Sequence, residues 1–598
     1  MPADHTVSRY LIKRLHDVGI RHLFGVPGDY VLDFLDEVVA GPLRWVGTCN
    51  ELNAGYAADG YARLNGAGAA VVTYGVGGLS ILNALAGAYA EQVPVIIVSG
   101  APPARRRESR AMVHHLISSY YLQLDICKKM TADAAILTDP ETAPDEIDRV
   151  VAACIARKLP VYLELPADIA VAPCRAPGEL RREAPPASDE ESLQECVAEV
   201  AALIDAARRP LILAGVELMR FGLGDEALRL VETTEIPFAT MLSSKSLLPE
   251  LHPQFVGIYQ GAWSRESVRR QVEDADCVLS LGVRKTDLDT GLFSADLDSA
   301  RVIGAAAGEV RLGHHFYHQI QLRDLMERLA ANVKPRSYLS SHPAEGYRPL
   351  QPFAPRPACT LTAPRLYEAL DYFLDDGMIL LAEPGDAFCA APEFHIEEAE
   401  NFIVQIYYSS IGYCTPASLG AALARPDKRP VVLTGDGAFQ MTAQEVSTLI
   451  RERLPAVIVV INNDGYLVER KLHQDGAYND IQMWQYSRLP EVLGDGSFVI
   501  GIRVTTEEEL ARALATAERE TDKLVLIEAC LPDRDCSEGL ERLGRAFRGA
   551  QQNAPGGAMV GATLYSADTS DAIRKASAAS RKGHAVIAAD PGDHGGAP

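Results

Sequence analysis

The sequence predicts an α/β protein built of three doubly wound parallel-sheet units. Short apolar runs rich in β-branched residues recur along the chain and alternate with stretches of helical spacing. That is the pattern of strands buried on both faces and joined by crossover helices. At 598 residues the chain is too long for a single core, and its length suits roughly three to four domains. Two Pro-dense stretches interrupt the alternation, one also rich in Arg and Glu and the other in Ser. They read as linkers.

Taken in order, residues 1–173 form the first unit, with helical spacing at 8–17 and 54–64 and strand runs at 69–73, 93–98 and 161–165. The first linker is 174–191. The second unit, 192–334, contains the strand runs 210–215 and 277–282. A second linker, 335–364, leads to the third unit, 365–550, with strands at 431–434 and 456–461 around a helix at 442–451. The tail, 551–598, is largely Ala, Gly, Ser and Asp. It has too few large apolar groups to offset the cost of ordering, so disorder is expected there, with helical spacing only at 570–581.

Composition narrows the function classes. A hydrophobic content of 47% and a charged content of 23% are those of an ordinary soluble protein. The net charge of −23 argues against a nucleic-acid or anionic-membrane partner. The one noticeable basic cluster, Arg105-Arg106-Arg107 beside Pro102-Pro103, reads as a solvated loop. The N-terminus has neither a basic n-region nor an apolar h-region, and the longest apolar runs are strand-sized. Neither a signal peptide nor a membrane span is expected. Eleven cysteines are scattered with no Cys-x-x-Cys pair, and Cys127, Cys154 and Cys277 sit in core-like surroundings. A reducing, cytoplasmic compartment is the expectation.

The most informative motif is Gly435-Asp436-Gly437, followed by Asn462-Asn463 and Gly465. It falls between two buried parallel strands that end at one sheet edge, the edge where such sheets bind ligands. Gly435 and Gly437 permit a tight turn and let backbone amides approach an anion. The Asp436 carboxylate, the Asn463 amide oxygen and a backbone carbonyl near Gly465 are hard oxygen donors, suited to a magnesium ion that also takes two diphosphate oxygens. A lone Gly-Asp-Gly would be only a turn; the Asn-Asn at this distance and the flanking strands make the signal specific.

The arrangement resembles the diphosphate-binding motif of thiamine diphosphate enzymes, and the three-part layout over about residues 5–548 is similar to the decarboxylases among them. That resemblance implies thiamine diphosphate and Mg2+ as cofactors, with a pyrimidine-binding, a central and a diphosphate-binding domain. It implies that Gly435, Asp436, Gly437, Ala438, Asn463, Gly465 and Tyr466 contact the cofactor, and that Asp436, Asn463 and Gly465 hold the metal. Glu51, just before a helix, is similar to the family glutamate that hydrogen-bonds the pyrimidine and favours its imino form. By itself it is equally a helix N-terminal acid.

His114-His115 resemble the paired histidines of the pyruvate and indolepyruvate decarboxylase branch. Asp29, in Phe24-Gly-Val-Pro-Gly-Asp-Tyr30, and Glu469, in Asn463-Asp-Gly-Tyr-Leu-Val-Glu469, match its two acids. Singly these are surface histidines, a loop aspartate and a helix glutamate; together the resemblance implies a proton relay that protonates the carbanion left after CO2 departs. Tyr408-Ser409-Ser410-Ile411-Gly412-Tyr413 resembles the segment that bends the cofactor, with Ile411 as the wedge and the carbonyl of Ser409 as an acceptor. Ser409 stands where pyruvate decarboxylases usually carry glycine. Glu383-Pro384-Gly385-Asp386 resembles the family's Glu-Thr-Gly turn, with Pro384 for threonine and Asp386 as a cofactor contact. The Gly-rich loop 73–80 lacks the third glycine of a dinucleotide fingerprint; Thr73 is either a substrate neighbour or part of a plain tight turn.

The resemblance therefore implies non-oxidative decarboxylation of a 2-oxo acid to an aldehyde, in a homodimer or homotetramer whose sites form between subunits. Indolepyruvate, phenylpyruvate or pyruvate are the expected substrates, with Tyr408, Leu472 and 287–290 near the pocket. Two alternatives stand beside it: a carboligase of the acyloin or acetolactate synthase type, and a homologue that binds cofactor without catalysis.

Overall fold

The computed structural model describes residues 5–180, 186–297, 301–335 and 351–553. The chain divides into two compact units, Met1–Phe547 and Arg548–Pro598. The second is described only over the end of the helix Glu538–Asn553; the tail beyond it, with the expected helix at 570–581, lies outside the described residues, as do 181–185 and 336–350 within the expected linkers.

Three sheets occupy the first unit. The first holds β1 (His22–Gly25), β2 (Arg44–Gly47), β3 (Gly68–Val72), β4 (Val95–Ala101), β5 (Ala134–Ile136) and β6 (Val161–Pro166), in the order β2-β1-β3-β4-β6-β5. Every pairing in it is parallel. The second holds β7 (Pro210–Ala214), β8 (Phe238–Met241), β9 (Phe255–Tyr259), β10 (Cys277–Leu281), β11 (Val302–Ala306), β12 (Gly308–Leu312) and β13 (His315–Ile320). Its order is β13-β12-β11-β10-β7-β8-β9. The third holds β14 (Met378–Ala382), β15 (Phe402–Val404), β16 (Arg429–Gly435), β17 (Val457–Asn462), β18 (Val499–Val504) and β19 (Leu524–Cys530), ordered β15-β14-β16-β17-β19-β18 and again all parallel.

The α/β class holds, with one departure. The second sheet is parallel only from β9 to β11; β12 and β13 add an antiparallel edge. Gly308, at φ +87°, turns the chain straight back after β11, which a parallel crossover would not allow. Other differences are local. The strand expected from residue 93 pairs only from Val95, after Pro94, which has no N–H to give a ladder. The helix expected from 442 begins at Asp436, directly at the end of β16. The three arginines are not a solvated loop: Ala104–Glu108 is a short helix and Arg107 is buried.

The first and third sheets follow one plan. Numbered from its own first strand, each runs 2-1-3-4-6-5. The helix between the second and third strands, Glu51–Asn65 in one and Cys414–Ala424 in the other, is therefore the same element in both. These two helices pack together through missing side chains. A Cβ added to Gly60 would lie 2.3 Å from the Ala417 carbonyl oxygen, and one added to Gly420 would lie 1.9 Å from that of Ala57. Both helices are small-residue and buried nearly all round, and one apolar cluster runs through them from Phe24 to Leu526. Among the described residues no helix is long and apolar enough to cross a membrane. The cysteines are all free thiols, with Cys127, Cys154 and Cys277 buried.

A candidate active site in two halves

In each of the two matched sheets the strand order reverses between the first and third strands, and at such a reversal the loops leaving the strand ends diverge to open a crevice. Every catalytic, cofactor and metal candidate lies at a strand end of these two sheets or on the loops and short helices that follow, whereas the pocket stretch 287–290 follows β10 of the second sheet.

At the first sheet, Asp29 opens the turn Asp29–Val31 after β1, and His114 and His115 lie in the irregular stretch 109–121 after β4. His114 Nε2 is 2.6 Å from Asp29 Oδ2. The Tyr30 hydroxyl is 3.2 Å from His114 Nδ1, and its ring stacks on the imidazole at 4.6 Å and 11°. With Tyr30 donating to Nδ1, the proton of a neutral ring sits on Nε2, facing Asp29. His115 meets His114 edge to face at 4.7 Å. Ligand atoms of Asp29, His114 and His115 all lie within 4.8 Å of one another. The side chains of Asp29 and His114 remain about half exposed. Glu51 is the first residue of its helix; Asn50 caps it, accepting from the Asn53 N–H at 2.8 Å. A Cβ on Gly77 would come within 3.2 Å of Glu51 Oε1, so the loop glycine keeps space beside that carboxylate.

At the third sheet, Asp436 is buried and held by backbone alone. Its Oδ1 accepts from the Gly437 N–H at 2.7 Å, and its Oδ2 from Asn463 and Gly465 N–H groups at 3.2 and 3.0 Å. Burial pushes its pKa up to about 6, although the N–H groups pull the other way. Asn463 is buried one residue beyond β17. Gly465 sits at φ +117°, where a Cβ would meet the Asn479 carbonyl oxygen at 2.3 Å. Tyr466 covers Gly437 so closely that a Cβ there would be 2.5 Å from its ring. Ala438 is buried beside it. Next to Gly435 an added Cβ would find nothing within 4 Å. A carboxylate desolvated without a cation, a neighbouring amide oxygen and free space at the strand end fit a divalent ion bound to a diphosphate.

The segment with Ser409 and Ile411 is rigidly built. Ser409 takes φ +51° and Gly412 φ +87°, which explains why glycine suits position 409. Glu383, fully buried after β14, accepts from the Gly412, Tyr413 and Cys414 N–H groups at 2.9–3.1 Å and from the Thr434 hydroxyl at 3.3 Å. Burial lifts its pKa to about 7. Sequence reading placed Glu383 in a turn and missed this task. Thr442 Oγ1 donates to the Gly412 carbonyl at 2.7 Å. Asp386, expected beside the cofactor, has both carboxylate oxygens engaged by the Tyr367 hydroxyl and by Ser537. It ties the turn after β14 to the start of the C-terminal helix. Glu469 is exposed in the short helix Leu467–Leu472.

A second residue that the sequence did not reveal joins the halves. Glu445, fully buried two turns beyond Asp436, accepts from the Cys49 N–H at 3.2 Å and from Asn53 Nδ2 at 2.7 Å, gripping the start of the Glu51 helix. Its other oxygen and Asn53 Oδ1 are buried with no partner. Within one chain, however, Asp29, His114 and His115 share no hydrogen bond or ring contact with Asp436 or Glu469.

Comparisons with known proteins place three domains along the chain in the same order as the three sheets. Family models of the thiamine pyrophosphate enzyme match residues 5–124 (N-terminal TPP binding domain), 197–328 (central domain) and 386–529 (C-terminal TPP binding domain). An alpha-keto-acid decarboxylase of Mycolicibacterium paratuberculosis is 40% identical over 536 residues, 88% of this chain and 94% of that protein. One from Mycobacterium leprae is 39% identical over 549 residues, 91% and 96% of the two chains.

Proposed function

Because the chain belongs to the thiamine pyrophosphate enzymes, with alpha-keto-acid decarboxylases as relatives along most of its length, we propose that it converts a 2-oxo acid into an aldehyde and CO2 without net oxidation. The observation that carries this reading is the Asp29–His114–His115 cluster with its 2.6 Å carboxylate–imidazole contact. Such a cluster can deliver a proton to the carbon that CO2 has left, which aldehyde release requires, whereas carboligation joins that carbon to a second carbonyl.

Bound thiamine diphosphate supplies the nucleophilic carbon and the electron sink. In this reading Asp436, Asn463 and the carbonyl of Gly465 would hold Mg2+, and Gly435 leaves room for the diphosphate, with Gly437, Ala438 and Tyr466 beside it. Glu51 holds a proton at its carboxylate against the pyrimidine, in the space that Gly77 leaves open. Ile411, on a segment fixed by Glu383, supplies the apolar wedge. His114 carries a proton on Nε2 toward Asp29, and His115 and Glu469 complete the set of proton-moving groups. Glu469 and the histidine cluster share no hydrogen bond within one chain, and in this reading a homodimer or homotetramer brings them together, with each site drawing on two subunits. Substrates are aromatic or small 2-oxo acids, indolepyruvate, phenylpyruvate or pyruvate, and the free cysteines suit a reducing cytoplasm.

The test is a panel of 2-oxo acids offered to the purified protein with thiamine diphosphate and Mg2+, reading CO2, free aldehyde and hydroxyketone separately. Aldehyde in step with CO2 is expected, and Glu51→Gln should lower turnover by about a hundredfold or more while cofactor still binds. Hydroxyketone as the main product would transfer the assignment to carboligation, and a Glu51→Gln variant as active as wild type would defeat the role given to Glu51.

A further inference from the structure

Arg107 is the buried member of the basic triplet, 8% exposed, on the helix that follows β4. Its Nη2 donates to Glu164 Oε1, on β6 and 0% exposed. Glu164 Oε2 accepts from the Tyr162 hydroxyl at 2.9 Å, and that hydroxyl accepts from Gln123 Nε2 at 2.6 Å. Gln123 Nε2 also reaches Ser99 Oγ at 2.9 Å, while its Oε1 accepts from the Gly75 N–H at 2.8 Å. Gly75, at φ +67°, presses on the histidine stretch: a Cβ there would be 2.4 Å from the His115 carbonyl oxygen. His115 is itself at φ +65°.

The other face of Arg107 grips the far end of that stretch. Its guanidinium lies 5.7 Å above the Tyr120 ring and 5.2 Å above the Tyr121 ring. Its Nε and Nη1 are buried without a hydrogen-bond acceptor, so on this face the two rings supplement the charge pairing that Glu164 provides. The Tyr120 hydroxyl donates back to the Ala111 carbonyl at 2.6 Å, and its own carbonyl accepts from the Tyr74 hydroxyl at 3.3 Å. A buried ion pair is a poor way to gain stability, since apolar residues of similar volume would do as well or better. Its directional bonds suit it to fixing geometry instead.

We infer that Arg107 is a positioning residue for His114 and His115: through Glu164, Tyr162, Gln123 and Gly75 on one side and Tyr120 and Tyr121 on the other, it fixes the middle and the far end of the 109–121 stretch that presents the two imidazoles to Asp29. The inference rests on the proton-moving role proposed above for those histidines.

Two variants of the holoenzyme test it. Arg107→Met/Glu164→Gln removes both buried charges together, and Arg107→Lys keeps the charge but loses the flat group that spans two rings. First-turnover CO2 release is expected to stay within about twofold of wild type, whereas steady-state aldehyde formation falls about tenfold in the double variant, as in His114→Ala, and by less in Arg107→Lys. If the double variant does not fold by circular dichroism, the same ratio in Arg107→Lys decides. Wild-type turnover in a folded variant, or an equal loss in both steps, overturns the inference. If His114→Ala behaves as expected while the Arg107 variants do not, only this inference falls; if wild type forms no aldehyde from any 2-oxo acid, the proposed function falls and takes it along.

Discussion

Asp436 and Glu383 are carboxylates buried at neighbouring strand ends of the third sheet, and both are satisfied by N–H and hydroxyl donors rather than by a cation. For Asp436 the consequence is a linked pH dependence. Its folded pKa of about 6 exceeds the ordinary 3.8, so in the metal-free protein the folded state binds a proton that the unfolded chain has released. Its contribution to stability therefore declines as pH rises from about 4 to about 6. In the proposed reading Mg2+ would bind the ionised form, so Mg2+ with thiamine diphosphate should raise the melting temperature more at about pH 7.5 than at about pH 5. Asp436→Asn should abolish that difference; an equal shift at both pH values in wild type would remove Asp436 from the metal site.

Single residues were legible where a local pattern announced them. The spacing of Gly-Asp-Gly and Asn-Asn singled out Asp436 and Asn463, and the resemblance to a decarboxylase branch singled out the histidine pair. Arg107 did not stand out, because Arg105 and Arg106 beside it are exposed and the three look alike in sequence. Glu383 and Glu445 were hidden for another reason: each caps backbone N–H groups that arrive from 29 or more residues away, and no local pattern encodes such a partner.

Among the elements, the helix pair Glu51–Asn65 and Cys414–Ala424 has the least room for change. The Cβ of Gly420→Ala would strike the Ala57 carbonyl oxygen, a backbone atom that cannot rotate away. Overpacking of this kind costs about 1–3 kcal/mol, or more. Thermal or urea unfolding of Gly420→Ala and Gly60→Ala should show that loss, with Gly435→Ala, whose Cβ meets nothing, as the control that stays near wild type when no cofactor is present. A fully stable Gly420→Ala would mean that the helices are not held this close. Strands such as β16 and β17 were legible because burial on both faces leaves an unbroken apolar run. The β12–β13 edge was not, because its strands are short, partly exposed and without such a run. The early helix start at Asp436 was masked by glycine, whose weak intrinsic preference is outweighed here by burial and by the backbone hydrogen bonds that hold Asp436.

For the molecule as a whole, the layout of three sheets was legible from length, linkers and alternation, while the kinship of the first and third was not: strand order is a property of crossovers, and their sequences share no visible repeat. The proposed site, drawing Glu469 and the histidine cluster from two subunits, makes activity depend on association. Specific activity should fall on dilution in parallel with loss of the dimer by analytical ultracentrifugation, while circular dichroism changes little. Full activity in a stable monomer would show that one chain closes its own site.

The matched strand plans also bear on renaturation. The helix Glu51–Asn65 finds its counterpart through a smooth, glycine-notched surface, and every other copy of the chain displays that same surface while it is still assembling. Crowded chains can trade halves and become interlocked, so recovery of working enzyme from denaturant should improve as the protein is made more dilute.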